Sequence, residues 1–256
     1  MFQILLCLFL LFPNGENIQI NQPHDFIAVD HLGNVFAVNN SELIKFNPQG
    51  EKQSSFSNSM LGRISDIDLN NPLQILIFYS DFNQILFLDR NLAEIGNAID
   101  LYTYSDNETE LVCSSPNGGF WIYNSSDKQS VHISDTGKKE NQSLFLNSFF
   151  EDVLPTKMKE YNSNLYLLYP EQGILHLDQN GQFKKKNFIP GIRNFEITKN
   201  TLFYTTEKGI FSWKSLELDD KLLFQSKEYE GEKLILKNNN LYIFNKKTIT
   251  IKALKL

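Results

Sequence analysis

A chain of 256 residues with 30 acids, 24 bases and a net charge of −6 has room for one large all-β domain and is too acidic overall for a nucleic-acid partner. Its 21 Phe and 10 Tyr suit pleated, half-buried strands rather than a disordered or fibrous chain.

The chain opens on an apolar run, "FQILLCLFLLF", that stops at Pro13-Asn14-Gly15. Its eleven residues are too few to cross a hydrocarbon core, which takes about 20 helical residues. They fit the apolar part of a secretory leader. Residues 1–15 are therefore expected to be a signal peptide and residues 16–256 an exported, soluble domain. A buried first strand is the competing reading, because no Lys or Arg precedes the run and no small-x-small cleavage site follows it. Loss of Cys7 with the leader leaves Cys113 alone, which excludes an internal disulfide and a cysteine-rich metal site. Stability then rests on burial, and a chain of this size hides roughly 70% of its unfolded surface.

Residues 26–56 read as four short strands: A, "FIAVD"; B, "VFAVN"; C, "LIKFN"; and D, "KQSSF". The turns "HLGN" and "PQGE" supply Gly for positive φ and Asn for local backbone bonds. The pattern recurs. Third strands end at Phe46, Leu88, Ile133, Leu177, Trp213 and Ile251, at intervals of 42, 45, 44, 36 and 38 residues. Second strands precede them as "QILIFYS", "GFWIYN", "LYLLYP", "TLFYTT" and "NLYIFN". Four-stranded units repeating about every 40 residues define an all-β fold, a β-propeller, because a lone blade cannot bury both of its faces. Six blades fit best, and five or seven are the alternatives. Little chain follows "TITIK" to make a sixth strand D, while "NIQINQ" at residues 17–22 stands unpartnered before the first strand A. The N-terminal strand is expected to close the last blade and remove an exposed edge.

Catalytic patterns are sparse. His24, His31, His132 and His176 show no HxH or HExxH spacing. His132 and His176 occupy matching places in "SVHI" and "ILHL", a slot that other units fill with Lys45, Phe87 and Ser212, so a tolerated polar position is favoured over a metal site. Asp30, Asp89, Asp135 and Asp178 stand at strand ends, where aspartate anchors turns. Asp66 and Asp68 alternate in "ISDIDL" and share a face, and turn or edge duty is again favoured over paired-carboxylate chemistry. No phosphate-cradling glycine loop or nucleophile elbow is visible. The expectation is a non-enzyme with no cofactor and no metal.

Charge is uneven. Residues 16–135 hold 16 acids and 5 bases, residues 136–256 hold 14 acids and 19 bases. In a ring the two halves face each other, giving a sideways dipole able to orient a charged partner, and a solvated surface of drifted composition is the favoured competing reading. "KKK" at residues 184–186 reads as an outer strand. Among the B–C turns, only "DFNQ" places an aromatic at its tip, so Asp81, Phe82 and Asn83 are the candidate partner-binding residues, with Phe82 as anchor. The competing reading folds Phe82 back onto its own blade.

The wording of the first three units, "VDHLGNVFAVNNSELIKFNPQGE", "LQILIFYSDFNQILFLDRNL" and "CSSPNGGFWIYN", resembles a family of small exported β-propellers of bacteria that carry the type 9 secretion machinery. The resemblance implies a periplasmic protein whose partner is the outer-membrane translocon or another envelope protein. In that setting the disc plugs the periplasmic mouth of the translocon channel when no substrate is in transit. A ligand-binding or sensory propeller holding a glycan or peptide in its central channel is the alternative, and an unrecognised propeller lyase or hydrolase is the third.

Overall fold

The computed structural model describes residues 17–71, 73–150, 153–198, 201–214, 221–225 and 233–254. The expected leader, residues 1–15, lies outside the described residues. Strand β1 (Ile18–Asn21) comes first, followed by blade 1: β2 (Phe26–Val29), β3 (Val35–Asn39), β4 (Glu42–Phe46) and β5 (Lys52–Ser57). Blade 2 is β6 (Asp66–Asp68), β7 (Ile75–Tyr79), β8 (Gln84–Leu88) and β9 (Glu94–Asp100). Blade 3 is β10 (Leu111–Ser114), β11 (Phe120–Asn124), β12 (Gln129–Ile133) and β13 (Lys139–Gln142). Blade 4 is β14 (Lys157–Tyr161), β15 (Asn164–Tyr169), β16 (Gly173–Asp178) and β17 (Phe183–Phe188). Blade 5 is β18 (Asn194–Thr198), β19 (Thr201–Thr206), β20 (Gly209–Lys214) and β21 (Lys221–Gln225). Blade 6 holds β22 (Lys233–Lys237), β23 (Asn240–Phe244) and β24 (Thr248–Ala253), with β1 as its fourth strand. All pairings within the sheets are antiparallel, and the ring has six blades rather than five or seven.

Side-chain period explains the stacking. Successive residues of a strand point to opposite sheet faces, so a strand sandwiched between two blades must be apolar at every position. The "ILIFY" of β7 is buried throughout. Its Ile75 and Ile77 join Phe36 and Leu43 of blade 1, while Leu76 and Phe78 join Val112 and Ile122 of blade 3. The other core clusters sit in the same way between neighbouring blades, around to blades 6 and 1. Each fully buried Leu, Ile or Phe in these joints stabilises by about 1.5–3 kcal/mol. Outer strands face water and read accordingly: "KENQ" in β13, and "FKKKNF" in β17, where the three lysines stand as expected.

The chain ends meet as the unpaired segments require. Gln19 pairs with Thr250 and Ile20 with Ile249, and β1 thereby covers the free edge of β24. Gly50, in the β4–β5 turn, has φ +83, and a Cβ there would lie 2.9 Å from Ile18 Cγ2, so glycine lets blade 1 close against the joining strand. The strand-end aspartates do anchor turns. Asp89 Oδ1 accepts from the Asn91 and Ala93 amides at 2.7 and 2.9 Å, and Asp178 Oδ1 from Asn180 and Gln182 at 2.8 and 2.9 Å. Asp135 differs, accepting from the Gly119 amide at 2.7 Å and so tying two turns of blade 3 together.

Candidate functional site

All first strands (β2, β6, β10, β14, β18, β22) run the same way around the axis. One face of the disc therefore carries the B–C turns and the links between blades, and the other carries the A–B and C–D turns. The two faces differ. Among the described residues, six large apolar side chains stay exposed in loops of the linking face: Met60, Phe82, Tyr102, Leu144, Phe145 and Leu154. The opposite face exposes Leu32 and Leu73. The linking face also opens a cavity of about 410 Å³ between blades 3 and 4, lined by Tyr123, Phe150, Leu154 and Tyr169. Around this apolar arc, among the described residues, blades 2 and 3 present Asp81, Asp100, Asp106, Glu108, Glu110 and Asp127 against only Arg63 and Lys128.

The structure separates the three turn residues. Phe82 ends a 3-10 turn, Ser80–Phe82, and is 55% exposed. Its ring edge rests on the preceding link: a Cβ at Gly62 (φ +84) would lie 3.1 Å from Phe82 Cε2. Asp81 stands beside it, 3.9 Å from the Arg63 guanidinium, with both groups largely in water. Asn83 is buried. It adopts the left-handed conformation (φ 50, ψ 47), which Asn tolerates better than most residues. Its Oδ1 accepts from the Thr109 amide at 3.0 Å and its carbonyl from the Leu101 amide at 2.9 Å. Asn83 thus fastens the turn to the blade 2–3 link, leaving Phe82 and Asp81 at the surface.

A second feature lies on the axis. A cavity of about 490 Å³ is walled by the first strands of the blades. Asp66 and Asp68 of β6 line it, so these alternating carboxylates face the channel, and Asp68 keeps a turn contact as well, accepting from the Asn70 amide two residues on. Across from them, Lys157 and Lys159 of β14 reach Glu196 of β18 at 3.0 and 2.8 Å, and Lys237 of β22 approaches the same carboxylate at 3.9 Å. Lys157 Nζ also donates to Asn194 Oδ1 and the Phe195 carbonyl, both at 2.9 Å. Lys237 Nζ donates to the Val29 carbonyl at 2.7 Å, linking blade 6 to blade 1. Sequence reasoning missed this cluster; its signal was the polar residues at alternate places in the first strands "KMKEY" and "NFEIT".

Electrostatics follow from that geometry. Burial alone raises a carboxyl, but three ammonium groups around Glu196 outweigh it and hold this acid well below the usual range. Burial lowers Lys159, and Glu196 more than restores it, leaving Lys159 above its ordinary value. For Lys237 burial wins and the group falls below it. Asp66 is reached by water, but from a lumen walled by protein. That confinement, with Asp68 adding repulsion, pushes it up to about 6. Asp68 is raised for the same first reason, although it accepts from the Asn70 and Ser114 amides at 2.6 and 3.1 Å.

The histidine pair does not converge. His132 Nε2 lies 3.0 Å from the Gly118 carbonyl, and its ring packs 5.0 Å from Trp121. His176 stacks on Tyr166 at 4.4 Å, and burial, with Lys184 and Lys185 nearby, brings it down to about 4. Each ring is engaged within its own blade. Among the described residues no group of three or more His, Cys, Asp or Glu is placed to hold a metal ion.

These features define an antiparallel six-bladed β-propeller with an apolar, acid-rimmed face and a charged axial channel. No protein-family model matches the chain, and no curated protein matches it. Solved propellers share its fold. A streptogramin B lyase is 14% identical, with 88% of this chain and 78% of that one covered and a TM-score of 0.60. A catalytically inactive virginiamycin B lyase from Staphylococcus aureus with quinupristin is 11% identical, covering 93% and 100%, at a TM-score of 0.64. The Pan2 WD40 domain of Neurospora crassa is 9% identical, covering 92% and 90%, at a TM-score of 0.60. Two lyases and a WD40 domain are thus alike in backbone, and the likeness reaches the fold alone. No helix among the described residues is long and apolar enough to cross a membrane.

Proposed function

We propose that this chain is a non-enzymatic, protein-binding propeller of the cell envelope that docks through its linking face. The observation that carries this reading is the concentration of exposed apolar side chains, Met60, Phe82, Tyr102, Leu144, Phe145 and Leu154, in the loops of that one face. Patches of this kind, rimmed by polar groups, mark interaction sites. The acids around the arc call for a partner whose apolar knobs are flanked by Lys or Arg. In the setting the sequence resemblance implies, that partner is the periplasmic end of the type 9 translocon channel, and the rigid ring serves as its plug.

The test is a detergent pull-down of the tagged protein from its own cells, with mass spectrometry. Recovery of an outer-membrane channel protein that is lost with Phe82→Ala plus Phe145→Ala supports the reading. Equal recovery with the double variant and wild type overturns it. A ligand-binding propeller is the second reading, favoured by the opposed charges inside the channel.

A further inference from the structure

The axial channel is polarised across its width. On one wall stand the carboxylates of Asp66 and Asp68, and on the other the ammonium groups of Lys159 and Lys237 gather about Glu196. Among the described residues, neither aspartate forms a direct ion pair with a cation, so the two poles face each other across open space. Both poles have bonding capacity left. Asp66 accepts one hydrogen bond, from the Ile67 amide to Oδ1 at 2.8 Å. An ammonium has three N–H donors, of which Lys159 directs one to Glu196 and Lys237 one to the Val29 carbonyl. The void of about 490 Å³ falls within the range of small-molecule sites, which is roughly 300–1,000 Å³.

A purely anionic ligand would meet the aspartates, and a purely cationic one the lysines. A molecule with both charges satisfies both walls. We infer that the channel binds a small zwitterion, a free amino acid or a short peptide, with its ammonium at Asp66 and Asp68 and its carboxylate at Lys159 and Lys237. Asp66 stands at the end of β6 nearer the linking face, so that mouth offers the ammonium its first contact. This site is independent of the docking reading, because none of the six arc residues lines the channel.

Isothermal titration of the full purified chain with glycine, triglycine, N-acetyl-triglycine and triglycine amide tests the inference. Saturable binding of glycine or triglycine is expected, and the better of the two names the source as free amino acid or peptide. With triglycine the better ligand, blocking either end should weaken it tenfold or more; with glycine the better, N-acetylglycine and glycinamide serve as the blocked forms. Asp66→Asn and Lys237→Met should each weaken the same ligand, with thermal melts verifying that the variants fold. Absence of saturable binding at millimolar concentration, or equal binding of free and blocked forms to the wild type, overturns the proposal whatever the variants do.

Discussion

Ile20 of the first strand lies directly opposite Ile249 of the last, and both are buried in the cluster that holds Val29 and Ile44 of blade 1. The pair joins the two ends of the chain through one joint, so ring closure and core packing are the same event. Removing residues 17–22 deletes the fourth strand of blade 6 and leaves the edge of β24 open. We expect a loss of several kcal/mol from lost burial and pairing, with aggregation from the free edge. Thermal melting and light scattering check this, and an unchanged melt would refute closure by β1.

Phe82 and Asn83 are neighbours with opposite duties, and substitution should separate them. Phe82→Ala is expected to weaken the partner complex by about 2 kcal/mol or more while changing stability by about 0.5 kcal/mol or less. Asn83→Ala leaves the buried Thr109 amide without its acceptor and places Ala at positive φ, a loss of roughly 1–3 kcal/mol in stability. Leu32→Ala, on the opposite face, should alter neither. Pull-down yield and urea midpoints for the three variants distinguish the outcomes; a Phe82→Ala protein that melts early but binds normally would mean the ring is packing, not docking.

The blades were legible because two periods coincide, alternation within strands and recurrence about every 40 residues. Closure was legible because "TITIK" lacked a fourth strand and "NIQINQ" lacked a partner. Phe82 could be placed at a turn tip from its neighbours. The burial of Asn83 could not, because its partner Thr109 belongs to the next blade's link. The lysine–glutamate cluster was hidden for a similar reason. Lys159, Glu196 and Lys237 come from three blades, and only the closed ring gathers them on one axis. The uneven charge of the two halves is expressed in that channel, with aspartates from blade 2 facing lysines from blades 4 and 6.

Glu196 is the counter-charge of three ammonium groups, so Glu196→Ala should be among the most damaging single changes in the channel. Breaking a fully buried network costs about 3–5 kcal/mol because the remaining charges are left uncompensated, and for this half-buried one, screened by channel water, a loss of about 1–3 kcal/mol is expected. Adding Lys159→Met should recover part of the loss, and a double-mutant cycle on urea midpoints measures the coupling. Additive losses would argue that the lysines are held by solvent rather than by Glu196.

The two carboxylate environments make opposite pH predictions. Glu196 is held below its ordinary 4.5, so its contribution is present above that value and is lost as the pH falls further. Asp66 is raised from 3.8 to about 6, so the fold binds its proton more tightly than the unfolded chain does. That contribution is complete below pH 3.8 and disappears as the pH rises through about 6. Asp66→Asn removes this dependence. It should stabilise the protein at pH 7 to 8 by roughly 1 kcal/mol, a value reduced for screening by channel water. Towards pH 4 the difference from wild type should shrink to nothing. Urea midpoints of both proteins at pH 4, 5, 6 and 7.5 provide the measurement. A variant less stable than wild type at pH 7.5 would show that attraction to Lys157 outweighs the burial of the Asp66 charge.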